Sequence, residues 1–183
     1  NGIFVVMDSA GLQKIQIPSH LIANQVRRYL DSLDLLALTI EGTSACAAPH
    51  VTQEKIQAAK TKIHLLWDEE YLYGRTPAVL LDLIIEHTGI EALNAVYALL
   101  QRNLRIGRSI PGLLNTDKTD ANCNIHEQCI EAVDLLCAGK HEEFSKKTAE
   151  AFQSIYHLVI RECKRLDYFE AAMGAYDGSA LWK

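Results

Sequence analysis

No stretch of this chain is apolar for long enough to cross a bilayer, which takes about 18 consecutive residues or more. Leu33 to Ile40 comes nearest, and Asp34 interrupts it. The N-terminus has no basic segment followed by an apolar one, so nothing there reads as a secretory signal. Positive charge is also short: 18 Lys and Arg face 23 Asp and Glu, a formal net charge of −5 with a pI near 5.8. That sign is wrong for a surface whose main task is neutralising phosphates. The basic pairs Arg27/Arg28, Lys146/Lys147 and Lys164/Arg165 sit isolated on segments that also carry acids. The five cysteines (46, 123, 129, 137 and 163) form no CxxC pair. An odd number of thiols without an export signal points to reduced side chains, mostly buried as small hydrophobes, and away from zinc. Also missing are a Gly-rich phosphate loop, a nucleophile elbow and a convincing carboxylate pair. The expectation is a cytoplasmic protein that is not an enzyme, has no membrane partner and needs no cofactor.

What the chain does have is helical periodicity. Apolar residues make up 49% of 183 residues, ample for one packed core with little room for a second. Strand-like alternation does not extend past the first six residues, so the fold class is all-α, an antiparallel bundle of about six or seven helices. Residues 1–18 read as a strand remnant and linker ending at Pro18, and Ser19 is a good helix N-cap. Leu21, Ile22, Val26, Tyr29, Leu30 and Leu33 then share a face. Helix continues to about Ala48, where Pro49 stops it, with Gly42, Thr43 and Ser44 expected to loosen it.

Thr52 starts the next helix with an Ile56/Ile63/Leu66/Trp67 stripe, and Gly74 breaks it. Thr76-Pro77 gives another start, Thr as N-cap and Pro in the first turn. Residues 91–108 form a long helix with Leu93, Val96, Tyr97, Leu100 and Leu104 expected inside. A polar loop over 111–122 leads to a final pair at about 123–138 and 141–166, with Gly139 between them, and a short helix is expected near 168–173.

The last pair, CIEAVDLLCAGKHEEFSKKTAEAF (129–152), resembles the closing helical hairpin of the effector-binding domain in GntR-type bacterial transcription regulators of the FadR subfamily. CAAPHVTQEKI (46–56) is similar to the end of that domain's first helix and the threonine capping the next. IIEHTGIEALNAVYALLQRNLRIGR (84–108) is similar to its turn and long helix, and NGIFVV (1–6) to the final wing strand of the DNA-binding domain that precedes it. The similarity covers most of residues 1–166, carried by the order and spacing of these stretches. It implies a helical effector-binding and dimerisation domain over 19–183. The implied partners are a small-molecule effector, a second copy in a homodimer, and DNA through a winged-helix domain not present in this chain.

Many relatives hold a divalent metal with an Asp-x3-His pair and two later histidines. Anchored at Thr88-Gly89 and Gly139, those positions fall at Pro77, Leu81, Cys129 and Ala151, and an accompanying arginine at Leu36. The resemblance therefore implies a lost metal and a greasier cavity, suited to an effector with a hydrophobic, acyl-like or carboxylate-bearing portion. A shifted register using Asp82, Glu86 or His87 with His126 would restore a site. HEQC (126–129) opens like a zinc-protease HExxH motif, but Ile130 stands where the second histidine belongs. The ligand-binding set expected is Leu81, Tyr97, Gln101, Arg105, Arg108, His126, Cys129, Phe152 and Tyr156. An arginine facing the cavity would hold a carboxylate or phosphate bidentately. Equally, Arg105 and Arg108 would lie solvated beside acids, Phe152 and Tyr156 would be plain core, and His126, near a helix start, would face solvent or cap. Two rival functions stand beside the regulator: a dimerising protein-interaction module without effector, and a metal-dependent helical-bundle enzyme.

Overall fold

The computed structural model describes residues 19–67, 75–107, 110 and 120–168. The wing-like strand, most of the 111–122 loop and the short tail helix fall outside those residues, apart from Tyr168 and the start of the fifth helix. Among the described residues the α-helices are α1 (Ser19–Ala47), α2 (Gln53–Trp67), α3 (Thr76–His87), α4 (Glu91–Gly107), α5 (Asp120–Cys137) and α6 (His141–Arg165), with a 3-10 turn at Ala48–His50. No strand occurs among the described residues, and no helix there is long and apolar enough to cross a membrane. The protein is an all-α bundle.

α1 runs unbroken through Gly42, against the expected loosening. Its hydroxyls donate back one turn without breaking it, Thr43 to the carbonyl of Thr39 at 2.8 Å and Ser44 to that of Ile40 at 2.5 Å. Pro49 then ends it through the 3-10 turn. Thr52 caps α2 by accepting from the amide of Lys55 at 3.4 Å. At α3 the structure differs from expectation: Arg75 stands at the N-cap, and Thr76 is the first helical residue with no capping bond. Its hydroxyl is engaged elsewhere, as described below.

The α5–α6 hairpin turns on Gly139, whose φ of +74° only glycine adopts without strain. Gly139 donates to the carbonyl of Leu136 at 3.0 Å and Lys140 to that of Leu135 at 2.9 Å, the paired bonds of a Schellman cap. α6 packs along both α5 and α1, α4 lies on α1 and α3, and α2 bridges α3 and α5. Leu30, Leu36, Ile40, Leu80, Ile84, Val133, Leu136 and Phe144 meet in one core. Val96 departs from expectation: it is 45% exposed, on the outer edge of α4.

Candidate functional site

The nine expected ligand residues separate into two groups. On α4, Tyr97 is buried, but its hydroxyl lies 3.0 Å from that of Thr39 and 2.9 Å from that of Thr43. Both threonines also reach carbonyls of their own helix. Three hydroxyl protons are thus shared inside the α1–α4 seam, and Tyr97 acts as a latch between helices. Gln101 donates to Asp82 on α3 at 2.6 Å. Burial pushes the Asp82 carboxyl above its ordinary range, helped by Glu86, while Lys62, the Gln101 bond and Arg105 pull it down. Arg105 is exposed, close enough to be felt by Asp82 and turned away from the core. Arg108 lies outside the described residues.

The second group belongs to α3, α5 and α6. Leu81, Cys129, Phe152 and Tyr156 are all buried in the common core. Burial pushes the Cys129 thiol up to about 12, so it is a neutral hydrophobe at physiological pH. Cys163 behaves alike, also up to about 12. The other cysteines are less buried than expected: Cys123 and Cys137 are half-buried and Cys46 is exposed. Tyr156 meets the ring of His157 edge-on at 5.8 Å.

His126 is the residue that sequence placed least well. Because α5 begins at Asp120, His126 sits in its second turn and points inward, 6% exposed, instead of facing solvent. Its Nδ1 lies 3.3 Å from the Thr76 hydroxyl. This explains why Thr76 does not cap α3. Nothing in the local pattern marked Thr76 as more than a cap, because its partner lies 50 residues away on α5.

The positions that the family resemblance aligns with metal ligands, Pro77, Leu81, Cys129 and Ala151, are all buried, as is Leu36. Three polar groups stand close to them along the chain. Thr76 adjoins Pro77, and His126 precedes Cys129 by one turn. Thr148, fully buried, precedes Ala151 by one turn, and its hydroxyl has no hydrogen-bond partner among the described residues. A buried hydroxyl left without a partner costs about 1–3 kcal/mol, so its presence in an otherwise apolar interior calls for a reason.

The shifted metal site is not assembled. His126 meets Thr76 at the N-terminal end of α3, whereas Asp82, Glu86 and His87 lie toward its C-terminal end. Thr76 and Glu86 are ten residues apart, about 15 Å along a helix. His87 instead donates from Nδ1 to the carbonyl of Leu83 at 2.8 Å. Among the described residues no three or more His, Cys, Asp or Glu side chains gather as a metal site. His50, His64, His141 and His157 are exposed, as their charged surroundings suggested.

Two surface grooves flank this interior. One follows α5 past Glu127, Glu131 and Asp134; the other lies between α1 and α6, beside Leu38, Gly42 and Ser145. Neither is lined by any of the nine residues. Compared with known proteins, the chain matches no family model, no curated protein and no solved structure.

Proposed function

We propose that this chain is the ligand-binding and dimerisation domain of a GntR/FadR-type transcription regulator, taking a small organic effector into the interior between α3, α5 and α6. One observation carries the reading. The residues aligned with the family's ligand positions are all buried and apolar, and a His126–Thr76 pair and the unpartnered Thr148 hydroxyl stand within one turn of them along the chain. Such a lining suits an effector with a greasy body and one polar end, an acyl chain carrying a carboxylate or thioester. The effector favours one arrangement of helices, and the linker before Ser19 passes that preference to DNA-binding heads, altering their spacing. Coupling of this kind is typically worth about 1–3 kcal/mol.

The test is a thermal-denaturation panel of carboxylic acids, sugars and acyl thioesters. An acyl compound at about a hundredfold excess over its Kd is expected to raise Tm by about 5–10 °C. The shift should shrink in Thr148→Val, which keeps the volume and removes the hydroxyl. A flat panel overturns the effector and leaves an interaction module. The exposed apolar side chains of α1 and α4 favour that second reading of the chain.

A further inference from the structure

Apolar contact holds α4 only lightly. Among its described side chains Tyr97 and Leu100 are buried, Leu93 and Leu104 are half-buried, and Val96 and Leu99 are exposed. By contrast, α6 buries Phe144, Phe152, Ile155, Tyr156 and Val159. Polar contacts to α1 and α3 make up the difference.

Those contacts are built to part. Ser32, Thr39 and Thr43 of α1 donate their hydroxyl protons to carbonyls of their own helix, at 2.7, 2.8 and 2.8 Å. Toward α4 they serve as acceptors. Ser32 takes the Asn103 amide at 3.0 Å, and Thr39 and Thr43 lie 3.0 and 2.9 Å from the Tyr97 hydroxyl. When α4 moves away, no hydroxyl proton of this row loses its acceptor, so the penalty of an orphaned donor does not arise. On α3, Asp82 takes the Gln101 amide at 2.6 Å. Burial is what most disfavours its carboxylate, so water reaching Asp82 offsets the lost bond.

Both ends of α4 stay tied. At its start the Thr88 hydroxyl accepts from the Ile90 amide at 3.3 Å and reaches the side-chain oxygen of Asn94 at 3.2 Å, with Gly89 between at φ +66°. Past its other end, Ile110 is buried in the common core. We propose that α4 is a strap that lifts off α1 and α3 as one unit while α1, α5 and α6 stay packed, uncovering the Ser32–Thr39–Thr43 row and a way into the bundle. Tied at both ends, it recloses without leaving. As an entrance it serves the effector site proposed above and depends on that site. The lifting itself is measured with no ligand present, so the two fail separately.

Native-state amide hydrogen exchange of the full chain tests it. Residues 95–105 are expected to share one protection factor, about tenfold or more below that of 133–136 and 155–159, because lifting α4 spares the rest. Tyr97→Phe keeps the ring and removes the shared hydroxyl, and should lower protection of 95–105 roughly threefold or more. Gly139→Ala strains only the α5–α6 turn. It should lower protection of 133–136 and 155–159 roughly fivefold or more and leave 95–105 unchanged. Protection of α4 equal to that of the hairpin, or graded inward from its ends, overturns the strap. So does an α4 that ignores Tyr97→Phe or loosens with Gly139→Ala.

Discussion

Asp82 carries a local conflict between burial and charge. It stands half-buried on α3, its carboxylate takes the Gln101 amide, and desolvation is the largest influence on its proton affinity. A folded carboxyl raised above its unfolded value adds stability below the unfolded pKa, near 3.8, and that contribution is lost as pH rises through the folded pKa. At neutral pH the ionised side chain therefore weighs against the fold. Asp82→Asn keeps an oxygen for Gln101 and removes the charge. It is expected to raise Tm at pH 7, with the difference from wild type shrinking as pH falls toward 4; denaturation series at both pH values check this. A stabilisation that grows on acidification would show that some other group dominates.

Between elements, the turn chemistry is the most exacting feature. Gly139 holds φ +74°, and a Cβ added there meets nothing within 4 Å. Gly139→Ala should therefore cost backbone strain alone, about 1–2 kcal/mol, seen as a lower denaturation midpoint with unchanged slope. That turn was legible because glycine between two apolar periodicities has few other uses. Helix positions were legible for the same reason, since one buried stripe per helix repeats every three to four residues.

Edges were harder to read. Val96 fits the periodic stripe of α4, yet among the described residues α4 lies mainly on α1 and α3, and its buried face is narrower than the apolar pattern, so Val96 falls outside it. Gly42 looked like a weak point, yet α1 runs through it because Ile40, Ser44 and Ala47 on either side are buried in the bundle. Within the candidate site, Leu81 and Cys129 were placed by the family resemblance, and Phe152 and Tyr156 by their apolar spacing, which suits plain core equally; all four lie in the core. The uses of Tyr97 and His126 depended on partners more than 45 residues away, Thr39 and Thr43 for one and Thr76 for the other. No local pattern encodes such pairings.

Taken whole, the molecule joins α1 to α4 through a polar contact, where Tyr97 meets Thr39 and Thr43, while Leu81, Cys129, Phe152 and Tyr156 of α3, α5 and α6 lie in the common apolar core. Ion pairs across the hairpin, such as Lys147 with Glu131 at 3.1 Å, sit at the surface and contribute roughly 0–1 kcal/mol each. Cohesion therefore rests on the shared apolar core, and a molecule entering that core must exchange contacts with α3, α5 and α6 together. Amide hydrogen exchange of the full chain, with and without the acyl compound that raises Tm most, reads this directly. Slowed exchange is expected across 76–84, 125–133 and 148–156. Slowing confined to the outer faces of α1 and α4, or none anywhere at saturating ligand, would contradict an internal effector site.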